Sequence, residues 1–197
     1  FDRYRIYEIS FGKSGFLLTN GSMNGVGNYQ THAEMLREYH MTNALQSRYT
    51  HATPSAIEYE AGGVFKSFQA RLEETGTLDV FRDPRLRIRF PSGLEMWLNH
   101  ANQAWPATVA GTSYTIPGDG FVAVEPATGF VCFSAIPAGF ASRFDYCLDP
   151  NAYEFFDGRG AVAGYGGQST PTVRGVSFTS FARGRTFREQ ADGTIAQ

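Results

Sequence analysis

Arg85-Leu86-Arg87-Ile88-Arg89-Phe90, then Pro91-Ser92-Gly93, then Leu94-Glu95-Met96-Trp97-Leu98-Asn99 is the stretch whose reading decides the fold. In its first half charged and apolar side chains alternate with period two. That pattern suits a strand with one packed face and one wet face. Pro91-Ser92-Gly93 supplies a turn. The second half returns with Leu94, Met96 and Leu98 on one face, completing a β-hairpin.

Similar short segments continue in both directions. Downstream, Ala107–Val109, Ser113–Ile116, Gly120–Val124, Phe130–Ala135 and Arg143–Leu148 read as strands. They are separated by Gly111-Thr112, Pro117-Gly118-Asp119-Gly120 and Pro126–Gly129. Strands at this spacing predict an antiparallel sandwich or barrel. Upstream, Ser55–Tyr59 and Lys66–Leu72 are further strand candidates, and Val173–Phe181 is another near the end. The glycine-rich stretch Asp157–Gly167 reads as a surface loop, and the polar tail from Gly184 is expected to fray.

Helical periodicity belongs to one place. Thr31 is an N-cap candidate with Glu34 three residues later, the capping-box spacing. Met35, Leu36, Tyr39, Ala44 and Leu45 form an apolar stripe, with Met41 and Tyr49 extending or flanking it. The expected helix is Thr31–Tyr49, ended by Thr53-Pro54. Ahead of it, Tyr4–Ser10 reads as a strand carrying Ile6 and Ile9, followed by a loop containing Gly12 and Gly15. The expected fold class is therefore mainly β: an antiparallel β-sandwich (residues 55–197) preceded by one strand–helix unit (residues 1–54).

Composition limits the function classes. The chain has 197 residues with 17 Phe, 10 Tyr and 2 Trp, and a net charge of −2. No basic block is present to draw in nucleic acid or an anionic membrane. No run approaches the roughly 20 apolar residues of a membrane span. Because the chain opens with Phe1-Asp2-Arg3-Tyr4 in mid-pattern, it reads as a segment of something longer. The compartment is left open.

Several constellations invite chemistry. Gly12-Lys13-Ser14 resembles the end of a phosphate-binding loop, but Tyr7 stands where the pattern needs its first glycine. A tight turn is expected instead. His32, His40, His51 and His100 match no metal-ligand spacing, and no cofactor is called for. Asp145, Glu154, Asp157 and Arg159 are suited either to calcium or to ion pairs between strand ends, and ion pairs are the expectation. If Phe130–Ala135 and Arg143–Leu148 pair as a hairpin, Cys132 and Cys147 fall nearly opposite each other. They are then two small buried residues or a disulfide, which would imply export to the periplasm or beyond. Glu8 is the candidate catalytic carboxylate, at a strand end beside a glycine loop. An ordinary strand carboxylate paired with Arg3 or Arg5 is its plainer reading. Trp97, Trp105 and Tyr114 are candidates for stacking on a sugar ring, with Trp97 expected to be covered by the neighbouring helical unit.

These strings also carry a resemblance. Glu8-Ile9-Ser10-Phe11-Gly12-Lys13-Ser14-Gly15-Phe16-Leu17 resembles the last strand and loop of a (β/α)8 barrel, with Thr31–Tyr49 as its closing helix. Leu86–Asn99, Tyr114–Ala123 and Phe155-Phe156-Asp157-Gly158-Arg159-Gly160 resemble an accessory β-sandwich. The arrangement is similar to the C-terminal part of bacterial glycoside-hydrolase-like proteins. The resemblance implies a sandwich that buttresses a catalytic barrel, with Glu8 and Lys13 at the rim of a sugar cleft. The partners would be a carbohydrate and the upstream part of the same protein. The alternative is a non-catalytic carbohydrate-binding or cell-surface module, with Trp97 or Trp105 as its platform.

Overall fold

The computed structural model describes residues 2–13 and 32–159, except the side chains of residues 32–37. Beyond these it describes the backbone of strands at 172–173, 176–177, 185–189 and 195–196. The capping box at Thr31 and Glu34, the stripe residues Met35 and Leu36, the loop at 20–28 and most of the glycine-rich stretch lie outside the described side chains.

The fold is mainly β and antiparallel, as the strand pattern predicts. The strands are β1 (Ala56–Ala61), β2 (Val64–Ser67), β3 (Arg85–Arg89), β4 (Glu95–Asn99), β5 (Trp105–Val109), β6 (Thr112–Ile116), β7 (Gly120–Glu125) and β8 (Phe130–Pro137). They continue with β9 (Phe144–Asp149), β10 (Tyr153–Asp157), β11 (Thr172–Val173), β12 (Val176–Ser177), β13 (Arg185–Glu189) and β14 (Ile195–Ala196). A curled sheet runs in the order β14-β13-β10-β9-β8-β7-β4-β3-β1-β2. The β5–β6 hairpin attaches through β6 to β8, and β11–β12 form a separate pair. The deciding hairpin is β3–β4, with Leu86 opposite Leu98 and Ile88 opposite Met96. The tail does not simply fray, because β13 pairs with β10 and β14 with β13.

Two elements differ from expectation. Residues Asp2–Ser10 form a helix, α1, and not a strand. Its buried residues are Arg5, Ile6 and Ile9. A strand would send Ile6 and Ile9 to opposite faces, whereas a spacing of three places them on one helical face. Gly12 closes α1 in the left-handed region, φ +63°. The Lys13 amide bonds to Glu8 carbonyl and the Gly12 amide to Ile9 carbonyl, a Schellman cap. The expected turn at Gly12-Lys13 is thus a helix end. Lys66–Leu72 likewise is not one strand. The sheet stops at Ser67, whose hydroxyl accepts from the Ala70 amide and caps α3, Phe68–Thr75. Buried Arg71 ties that helix back to the Tyr59 and Val64 carbonyls.

The helix expected at Thr31–Tyr49 is α2, His32–Tyr49. Its buried stripe is Met41, Ala44, Leu45 and Tyr49, joined by Glu38 and Thr42, while Tyr39 faces out. On one face of the sheet this stripe meets Ile6 and Ile9 of α1 and Leu86, Leu94, Met96, Phe121, Phe130 and Phe155. The core therefore crosses the boundary drawn at residue 54. The alternate strand positions form a second core: Trp97, Val122, Phe133, Phe144, Tyr146 and Phe156, closed by Trp105 and Tyr114 of the β5–β6 hairpin.

A charged layer lies within the first core. Fully buried Arg5 of α1 donates from Nε and Nη2 to Glu38 of α2, at 2.7 and 2.5 Å. It also reaches Asp145 of β9 at 3.5 Å. Asp145 accepts from the Ser134 hydroxyl of β8 and from Arg159. Asp2 pairs with Arg143 and Arg159. Three guanidinium groups thus meet three carboxylates. Burial pushes the Asp145 carboxyl up, but Arg5, Arg159 and Arg143 outweigh it and hold it well below the usual carboxylate range. Of the acidic group predicted around the glycine stretch, Asp145 and Arg159 do form an ion pair.

The Pro117-Gly118-Asp119-Gly120 turn is crowded. Arg143 donates to the carbonyls of Gly118 and Asp119. A Cβ on Gly120 would lie 2.8 Å from the carbonyl oxygens of both Pro117 and Ser134.

Two stability outcomes follow. Arg5→Ala or Glu38→Ala leaves its partner as an uncompensated buried charge and should lower urea-denaturation stability by about 3–5 kcal/mol. Gly120→Ala should cost about 1–3 kcal/mol in the same urea measurement by displacing backbone that cannot yield, whereas Gly111→Ala meets no neighbour and costs the backbone strain of an alanine at φ +81°, about 1–2 kcal/mol.

Candidate functional site

α1 ends beside the β1–β3 pair of the sheet, and an open groove of about 340 Å³ runs between them. Tyr7, Phe11, Tyr59 and Phe81 give it aromatic walls, and Ser10, His100 and Arg82 are polar groups in its lining. A second hollow of about 360 Å³ continues past Ser10, Phe11 and Ile57 toward Tyr49 and Pro54. Phe11 is the most exposed large apolar side chain among the described residues, at 69%. Its ring stacks nearly parallel to Tyr7, 9° between planes and 6.2 Å between centroids. Tyr7 in turn lies 5.0 Å from the His100 ring.

Ser10 Oγ and His100 Nε2 are 2.8 Å apart. The pair looks like a nucleophile and its base, but the surrounding bonds assign other roles. The Ser10 hydroxyl donates to the Ile6 carbonyl at 2.7 Å. Having one proton, it can only accept from His100, so Nε2 carries the ring proton. Ser10 also closes a helix at the carbonyl end, whose partial charge is negative. An acyl-transfer oxyanion would meet the wrong pole there. The arrangement fixes a histidine tautomer and holds α1 to the end of β4; it does not activate a nucleophile.

The residues singled out in the sequence fall in two places. Glu8 and Lys13 flank the last turn of α1. Burial and a hydrogen bond to Glu8 push the Tyr4 phenol up to about 12, so the Glu8 carboxylate already serves Tyr4. The Lys13 carbonyl accepts from the Tyr49 hydroxyl at 3.1 Å, and its ammonium lies 6.0 Å from the Phe11 ring. Trp97 and Trp105 are elsewhere, in the second core, only 8% and 5% exposed. Trp97 is covered by Phe65 of β2 and Trp105 of β5, with ring centroids 5.0 and 5.2 Å away. The helical unit expected to cover it lies on the opposite face of the sheet. Arg87 closes the cluster from outside, 4.0 Å from the Phe65 ring and 2.9 Å from Glu58. The wet face of the deciding hairpin is therefore a ladder of ion pairs over aromatic rings. Neither tryptophan presents a face to a sugar.

The sequence reading weighed His100 only as a metal ligand and Tyr7 only against a phosphate loop, and it did not bring Tyr7, Ser10, Phe11 and His100 together. Ser10 and His100 are 90 positions apart, and only helical indexing of residues 2–10 would have aligned Tyr7 with Phe11. Among the described residues, no group of three or more His, Cys, Asp or Glu side chains is placed to hold a metal ion. No described helix is long and apolar enough to cross a membrane. No protein-family model, curated protein or solved structure matches the chain.

Burial lowers the proton affinity of His40, which stacks on Phe155, and of His100. Below the ordinary histidine value of about 6.5, the unfolded chain therefore binds protons that the folded chain refuses. Stability should fall as pH drops below 6.5, before the loss expected below about 4 from Asp2 and Asp145, whose folded values are depressed. Urea midpoints at pH 7.5 and 5.5 measure the first window, and His40→Phe should flatten part of that slope.

Proposed function

We propose that this chain is the C-terminal region of a glycoside-hydrolase-like carbohydrate-active enzyme, in which the antiparallel sheet supports a catalytic unit supplied by the rest of the protein. The observation that carries the reading is the seating of α1 and α2 on the sheet. They share one apolar core with it and are pinned through Arg5, Glu38 and Asp145. A β-layer that grips a helical unit this firmly is suited to buttressing. The strings Leu86–Asn99 and Tyr114–Ala123, which resemble the accessory sandwich of such enzymes, lie in the sheet of that joint. Because residues 2–10 are helical, the opening does not act as a barrel strand. Glu8 is engaged by Tyr4, so the acid and nucleophile belong to other parts of the protein.

One observation favours the second reading, a non-catalytic carbohydrate-binding module. Phe11 and Tyr7 offer the open aromatic surface that Trp97 and Trp105 do not. Aromatic faces beside a few fixed polar groups are the usual make-up of a small-ligand site.

The protein encoded by the complete gene should release reducing sugar from at least one member of an aryl-glycoside and oligosaccharide panel, and residues 1–197 alone should not. Absence of turnover by the complete protein across the panel would overturn the enzyme reading. If the chain alone retains oligosaccharides on a glycan array, and Phe11→Ala weakens that retention at least tenfold with unchanged thermal stability, the binding-module reading replaces it.

A further inference from the structure

Cys132 and Cys147 are the two cysteines of the chain. The register of β8 and β9 sets them directly opposite each other. Both are fully buried free thiols in the first core. They share a face with the Ser134–Asp145 pair two positions along, and the Cys132 thiol donates to the Met41 carbonyl of α2 at 3.3 Å. Directly opposed residues on antiparallel strands have Cα atoms about 4.5 to 5.5 Å apart. Disulfides span Cα separations of roughly 4.4 to 6.8 Å. The Cβ atoms of opposed residues, about 4.5 to 5.5 Å apart, reach the roughly 3.5 to 4.5 Å of a disulfide only at its upper limit, so closing a bond here needs rotation of side chains and a small approach of the two strands.

We propose that Cys132 and Cys147 form a cross-strand disulfide when the chain folds in the presence of a disulfide oxidant, and that the helix α2 then seals it from reduction. The chemistry is thiol–disulfide exchange. One cysteine thiolate attacks the oxidant disulfide, forms a mixed disulfide and releases the first thiol. The second cysteine attacks that mixed disulfide, forms the Cys132–Cys147 bond and releases the second thiol. Two electrons and two protons pass to the oxidant, which leaves as two thiols. Exchange needs an exposed thiolate. In the folded chain both sulfurs are inaccessible, and burial pushes the Cys132 thiol well above its ordinary range. The bond therefore forms while the β8–β9 hairpin exists and α2 has not yet docked. Once folded, either redox state is locked.

The full chain, reduced and unfolded, is refolded in a mixture of glutathione and glutathione disulfide. It is then unfolded in an alkylating agent without reductant and weighed by mass spectrometry. The expected product has lost two hydrogens, takes no alkyl groups and yields a joined peptide pair. Native, reduced chain kept in the same mixture should remain reduced over the same time. Refolded chain with a native circular-dichroism spectrum that takes two alkyl groups would overturn the proposal, and rapid oxidation of the native chain would overturn the seal. Chain secreted into an oxidising compartment gives the same readout without refolding, and two alkyl groups there would equally overturn it.

Discussion

The buried guanidinium of Arg5 is the constraint on which the rest of the structure depends. It sits where α1, α2 and β9 converge, and it needs a carboxylate from each of the other two. Taking an unpaired charge out of water is prohibitive, so Arg5 can be buried only when Glu38 and Asp145 arrive together. That condition links segments more than a hundred residues apart in sequence. Apolar packing of Ile6 and Ile9 would accept small slides and rotations of α1 on the sheet. The fork of Arg5 accepts one docking. Asp145 is committed in turn by Ser134 and Arg159, so the network extends from the helices into the β8–β9 hairpin.

The same layer shapes the two ends of α1. At its start, Asp2 joins Arg143 and Arg159, and Arg143 braces the Pro117–Gly120 turn. At its end, the Schellman cap stops the helix and Ser10 meets His100. α1, a helix of nine residues, is therefore fastened at both ends and in the middle. Fastening brings Tyr7 and Phe11 to the surface with their rings stacked. The groove lies beside them, between α1 and the sheet.

How much of this was legible in the sequence depends on the range of the interaction. The β3–β4 hairpin was readable because its period, turn and register are local. The face assignment was readable only in part: Leu94, Met96 and Leu98 share one face and Trp97 the other, but the helices pack on the first face and not over Trp97, where they were expected. α2 was readable from its spacing and its Pro54 stop, though Tyr39 proved to be outside the stripe and Glu38 inside it. α1 was misread because isoleucines with aromatic neighbours have strand propensity, and nine residues give a propensity argument little weight against tertiary packing. The spacing of Ile6 and Ile9 held the correct answer. Burial of Arg5 and Glu38 could not be read at all. A charge joins an apolar stripe only if a partner from another segment neutralises it, and that partner is invisible to periodicity.

The candidate site shows the same limit from the chemical side. Sequence attention went to residue types that perform chemistry, Glu8 and Lys13, and to tryptophans that bind sugars. The fold assigned those tryptophans to a sealed cluster, because β2 and the β5–β6 hairpin curl over the face that an isolated β4 would leave open. It assigned exposure to Phe11, whose residue type gives no hint of it. A helix terminus explains this choice. The last turn has no following turn to cover it, so an aromatic ring there must either find a neighbour or remain on the surface. Phe11 stacks on Tyr7 with the Lys13 ammonium 6.0 Å from its ring, and it stays 69% exposed. Any ligand that uses the groove must therefore be recognised at the joint between the helices and the sheet, and its binding will report whether that joint is intact.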